Sequence, residues 1–238
     1  MISPSDPSHE QSPPGPPAAR PAGDEPEVEA KAAERGVFFS DAVVAIAITL
    51  LALALPVPVG THLRPVTDST TNQQLLDALW SDRDGYLAFL ISFVVIGNHW
   101  AVHRRMFRYV NRLNGTVIRL DMIWLLMMII TPFATRILTG NGGFGVRFTI
   151  YTLVQVIAST CLLLMSREIR DKDLMRTDAP ESARHPENSH TLTLIVVFLI
   201  SIPVAFVAGQ WAFALWVAIP ALGRVLRRLR REPVARPG

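Results

Sequence analysis

Ser40 and Asp41 stand side by side at the start of a long apolar run, with Arg35 six residues upstream. A hydroxyl and a carboxylate in an opening turn suit the free N–H groups and positive dipole end of a helix, so the pair can act as a cap. With Arg35, a basic and an acidic group flank the same entry turn, which is more than a cap alone requires. His99 and His103, spaced i and i+4, share a helix face in metal-ligand geometry. A catalytic zinc site uses three protein ligands, however. The remaining histidines, His9, His62, His185 and His190, fall in tails or loops, and Cys161 is the single cysteine. No metal or cofactor is therefore expected, and His103 reads as a satisfied polar group able to respond to pH. No Ser-His-Asp constellation or phosphate-binding glycine loop appears, and no enzymatic activity is expected. The Gly-Phe-Gly within Thr139–Gly145 reads as a turn, because glycines punctuate chains and no separate pore helix precedes it.

The elements that carry these residues are apolar and long. Half of the 238 residues are hydrophobic and only 18% are charged, against about 25% in a typical soluble domain. Six apolar blocks run approximately over 37–58, 85–102, 117–138, 148–165, 191–208 and 210–226. A bilayer core of about 30 Å takes about 20 helical residues, and a helix satisfies its own backbone in lipid. The fold class expected is thus all-α, a polytopic membrane protein with six transmembrane helices. Eight of the 18 prolines fall in the first 26 residues, and residues 1–34 read as a disordered cytoplasmic tail. Residues 35–226 form the membrane domain and 227–238 a basic tail.

Basic residues set the expected topology. Arg104, Arg105, Arg108 and Arg112 follow the second block, and Arg167, Arg170, Lys172, Arg176 and Arg184 follow the fourth. Arg224, Arg227, Arg228, Arg230, Arg231 and Arg236 follow the last, whereas only Arg64, Arg83, Arg136 and Arg147 lie on the other side. Six spans, with a tight turn at Gly209-Gln210, place every basic cluster in the cytoplasm with both termini. These arginines read as topology signals and contacts to membrane lipids, not as a nucleic-acid surface. Thr71 ahead of Gln74, Leu75, Leu76, Leu79 and Trp80 has a capping-box pattern and opens a short amphipathic helix between the first two spans. Gln155, Ser159 and Thr160 are expected to make helix–helix hydrogen bonds.

On the first span, Ile46, Thr49, Leu50 and Leu53 share one face at 100° per residue. Such a face can pack against core or lipid, or, repeated by symmetry, line a pore with a hydrophobic neck. Arg35-x-x-x-Phe39-Ser40-Asp41 resembles the R-x-x-x-F-S-D signature of the transmembrane protein 175 family of potassium channels. Ser92-Phe93 with Trp100 and His103 is similar to that family's second helix, and Arg119, Asp121 and Thr131-Pro132-Phe133 to its third. The family often carries a second His where this chain has Arg104, and Asn where it has Asp121. The length resembles the prokaryotic form.

The resemblance implies a homotetramer around a central pore lined by the first helices, conducting potassium ions with modest selectivity over sodium. It implies that Ile46 forms the narrowest ring, with Thr49, Leu50 and Leu53 lining the pore beyond it. It implies too that Arg35, Phe39, Ser40 and Asp41 belong to a structural network with Trp100, His103 and Asp121. A multi-pass protein of the bacterial inner membrane is expected. The rival readings are a secondary transporter, proton-coupled through Asp41 and His103, and a non-conducting membrane scaffold.

Overall fold

A computed structural model describes residues 25–53, 55–56, 68–181 and 189–216. The described chain is helical: α1 (Glu25–Ala52), α2 (Asp68–Ser81), α3 (Arg83–Phe107), α4 (Gly115–Thr139), α5 (Phe144–Asp171) and α6 (Ser189–Ala208). Five stretches are long and apolar enough to cross a membrane: residues 27–52, 83–107, 115–139, 144–171 and 191–216. The first four expected blocks are thus found as single helices.

α4 and α5 form the centre. Trp124, Met128, Phe148, Tyr151, Ala158, Met165 and Ile169 are fully buried there, packed with Ile96 of α3 and Leu51 of α1. α4 opens on Asn114, whose side chain accepts from Val117 N at 2.8 Å and donates to Glu168 of α5 at 2.7 Å. One residue therefore caps one helix and fastens it to the next. At the same end a two-sided backbone clasp joins the α3–α4 connection to the chain after α5. Asn111 N donates to Leu174 O at 3.0 Å, and Arg176 N donates to Tyr109 O at 2.9 Å. The opposite ends of α4 and α5 meet in the turn 140–143, where Gly142 adopts φ +110°. The glycine-rich run is a turn, as its composition predicts.

Two boundaries differ from the sequence reading. The helix carrying Ser40 begins at Glu25, ten residues inside the segment expected to be disordered. Ala30, Ala32 and Ala33 have high helix propensity, Lys31 reaches back to Glu27 at 2.7 Å, and Arg112 pairs with Glu29 at 2.7 Å. Helix α2 is the short helix expected between the first two spans, but it starts at Asp68, so Thr71 lies inside its first turn instead of capping it. Residues 1–24 and the basic tail 227–238 lie outside the described residues.

The last apolar stretch reverses. After α6 the chain passes through a 3-10 turn at Gly209–Trp211, with Gly209 at φ +56°, and is helical again over 212–216. Trp216 Nε1 donates to Ser201 Oγ at 3.0 Å, although 15 residues separate them. In one continuous helix those residues would stand roughly 22 Å apart. Phe213 and Trp216 pack back onto Phe148, at ring separations of 5.2 Å. The turn predicted at Gly209-Gln210 is where the chain folds back.

Candidate pore-facing helix and its buried anchor

The sequence of α1 divides the helix lengthwise. Ser40, Val44, Ala47 and Leu51 recur at four, three and four residues and are buried against the bundle. Small residues at 42, 45 and 47 keep the helix narrow. Arg35, Phe39, Ala42, Ile46, Thr49, Leu50 and Leu53 form the opposite face and are exposed in the single chain. Ile46 is 58% exposed and Leu53 80%. Thr49 spends its hydroxyl proton on Ile46 O at 2.7 Å, so the stripe between Ile46 and Leu53 presents no free side-chain donor.

The buried face is anchored by a carboxylate. Asp121 of α4 lies with Oδ2 2.8 Å from Ser40 Oγ and Oδ1 2.9 Å from His103 Nε2 of α3. One side chain thus ties α1, α3 and α4 together. His103 is 1% exposed and sits between two rings, stacked on Trp124 at 4.3 Å and 3° and on Phe107 at 4.4 Å and 28°. Its Nδ1 is buried without a partner. A neutral ring protonated at Nε2 explains both nitrogens: Nε2–H donates to the carboxylate, and the bare Nδ1 leaves no donor stranded. Trp124 Nε1 in turn lies 3.5 Å from His99 Nδ1, so the two histidines at i and i+4 face separate partners.

Asp41 is held independently. Its Oδ1 accepts from Trp100 Nε1 at 2.8 Å, and the Arg104 guanidinium lies 5.3 Å from the Trp100 ring centre. Neighbouring residues on α1 therefore reach different groups, Ser40 inward to α4 and Asp41 sideways to α3. A carboxylate in a span is tolerated when it is hydrogen-bonded there.

Five of the seven network residues expected from the sequence, Ser40, Asp41, Trp100, His103 and Asp121, are brought together. Arg35 is exposed, and no hydrogen bond or ion pair among the described residues joins it to them. Phe39 is 54% exposed; it borders a cavity of about 200 Å³ also lined by Gly36, Ser40, His103 and Asp121. Both fall on the exposed stripe because they precede Ser40 by five and one residues, rotations that turn them off its face. Arg119 folds back on Gly115 O at 3.1 Å.

A second polar group is buried nearer the other end. Ser92 and Thr135 lie 2.8 Å apart, and Gln155 Nε2 donates to Thr131 Oγ1 at 3.3 Å. Gln155 thus makes the helix–helix bond expected of it, whereas Thr160 returns its hydroxyl to Val156 O within α5. Ser159 Oγ is buried with no hydrogen bond. The pairing of Ser92 with Thr135 was hidden in the sequence, because an isolated serine in a span gives no sign of its partner; Thr131 and Thr135 at i and i+4 were the available hint.

Comparison with known proteins bears on the same residues. Residues 35–132 match the family described as the endosomal/lysosomal potassium channel TMEM175. The match begins at Arg35 and contains every residue of the anchor. Over residues 35–132 the chain resembles the TMEM175 family. A potassium channel of Streptomyces collinus is 33% identical over 122 residues, 50% of this chain and 55% of that protein. Another, from Chamaesiphon minutus, is 36% identical over 100 residues, 42% of this chain and 46% of that one. The chain spans about half the length of the curated relatives it matches. The crystal structure of a lysosomal potassium-selective channel TMEM175 homolog from Chamaesiphon minutus superposes with a TM-score of 0.64, covering 83% of this chain and 98% of that one at 22% identity. The two share a fold. That family is described as a potassium channel, which is not an enzyme class, and five stretches of the described residues are long and apolar enough to cross a membrane, as in a multi-pass membrane protein.

Proposed function

We propose that the chain forms a homotetrameric, potassium-permeable channel in the bacterial inner membrane, with α1 from each copy lining the central pore. The observation that carries this reading is the division of α1: one face is fixed to α3 and α4 by Ser40 and Asp41, and the other is a continuous stripe without a partner. A helix clamped on one side and bare on the other is suited to face its symmetry mates across an axis.

Ile46 forms the narrowest ring, and Thr49, Leu50 and Leu53 continue the wall. An isoleucine ring offers no oxygen to replace hydration water, so an ion passes wet or loses part of its shell. Potassium holds its water less tightly than sodium and crosses more easily. Such a neck also closes by dewetting when the helices shift slightly. Selectivity built in this way is modest beside that of a carbonyl filter.

The reversal at Gly209 supports six spans, with both termini and the arginine clusters in the cytoplasm. The test is reconstitution into liposomes with potassium and sodium on opposite sides. Channel-sized currents reversing toward the potassium equilibrium potential support the reading. Silence in well-formed vesicles, or a flux that follows a proton gradient, replaces it with the scaffold or the transporter.

A further inference from the structure

The end of the bundle away from Asp121 carries a cleft of about 390 Å³, lined by the first turns of α3 and α5, the last turn of α4 and the chain beyond Gly209. Its walls include Leu87, Ile91, Leu138 and Phe213, and its polar groups include Asp84 and Arg147. These are the ends of membrane-length helices, so the cleft lies at headgroup depth whichever way the protein faces.

Arg147 is fixed there without being neutralised. Its Nη1 donates to Leu138 O at 2.6 Å and to Gly140 O, carbonyls left free at the end of α4. Its guanidinium stands 5.9 Å from the centre of the Phe144 ring. Nε is buried and makes no hydrogen bond, and no carboxylate among the described residues lies within ion-pair distance of it. A rigid, charged donor facing a partly apolar cleft lacks an anion. Asp84 carries the opposite charge on the same cleft. Its contacts are long ones, Gln210 at 3.5 Å and Arg83 at 3.7 Å.

We propose that this cleft binds a zwitterionic phospholipid of the phosphatidylethanolamine type. The phosphodiester accepts from Arg147, the ammonium lies toward Asp84, and an acyl chain follows Leu87, Ile91 and Phe213. Basic pockets between spans commonly take lipid headgroups; the added carboxylate favours a headgroup that also carries a donor. The proposal rests on the membrane-spanning fold and not on ion conduction, so a silent channel would leave it standing.

The full chain, purified in detergent, is titrated by native mass spectrometry with short-chain phosphatidylethanolamine, phosphatidylglycerol and free phosphoethanolamine. The wild type retains phosphatidylethanolamine most strongly. Arg147→Gln reduces retention of both lipids at least tenfold, and Asp84→Asn removes the preference between them while leaving binding. Ile91→Trp, which fills the cleft and keeps both charges, weakens both lipids. If Arg147→Gln fails to fold because α4 loses its cap, the other two variants decide. Equal retention by the wild type, Asp84→Asn and Ile91→Trp overturns the proposal, as does free phosphoethanolamine binding as well as the lipid.

Discussion

Asp121 on α4 holds Ser40 on α1 at 2.8 Å, oxygen to oxygen, across 81 residues of sequence. The same carboxylate takes His103 of α3 on its other oxygen. Removing it leaves His103 Nε2 buried without a partner, whereas Ser40 can still donate to Gly36 O at 3.1 Å. A buried polar group left without a partner costs about 1–3 kcal/mol. Asp121→Ala is expected to lower the thermal midpoint in detergent sharply. Asp121→Asn falls between, because its amide can still accept from Ser40, but its NH₂ meets the nitrogen that normally donates. Equal midpoints for wild type and Asp121→Ala would refute the anchor.

Asp41 and Trp100 form a separate tie. Trp100→Phe removes the indole donor and leaves a ring beneath Arg104. In a double-mutant cycle, Trp100→Phe and Asp41→Ala are expected to be non-additive, since either one breaks the same bond. Asp41→Ala should reduce the yield of folded protein more than it alters selectivity. Normal yield with altered selectivity would make Asp41 an ion site.

α5 and α6 approach closely at Gly145. A Cβ added there would lie 2.6 Å from Phe206 Cδ1. Alanine is the better helix former by about 0.5–1 kcal/mol, but forcing carbon into a filled contact costs about 1–3 kcal/mol. Gly145→Ala should therefore be net destabilising, and Phe206→Leu in the same chain should recover most of the loss. Because Phe206 is 62% exposed, Phe206→Leu alone should cost little. A stabilised Gly145→Ala variant would show the contact to be loose.

The fold-back of Trp216 onto Ser201 predicts the side on which the C-terminal arginines lie. A C-terminal fluorescent reporter should be active in the cytoplasm, and a C-terminal alkaline phosphatase inactive. The reverse pattern would require an odd number of crossings or an inverted six-span topology.

The first four spans, α1, α3, α4 and α5, were visible in the sequence because lipid demands unbroken apolar length, and the turn at Gly209 because two spans over residues 191–226 put every basic cluster on one side. The two ties, Ser40 with His103 and Asp121 and Asp41 with Trp100, were anticipated through the family resemblance; periodicity alone could not have joined α1 to α4. Arg35 and Phe39 show the limit of that route. A motif gives residue types, whereas the helical rotation between Phe39 and Ser40 decides which of them enters the bundle. The early start of α1 was missed because proline-rich composition upstream masked an alanine-rich segment whose partner, Arg112, lies far along the chain.

The division of α1 into a bare face and a buried one is tested most directly by polar substitution on each. Ile46→Asn and Leu51→Asn place the same side chain on opposite sides of one helix, 58% and 0% exposed. In reconstituted vesicles under a potassium/sodium gradient, Ile46→Asn is expected to conduct with raised sodium permeability, its reversal potential shifted toward zero. Leu51→Asn is expected to yield little folded protein. An unchanged reversal potential for Ile46→Asn, with full currents, would contradict the assignment of that face to the pore.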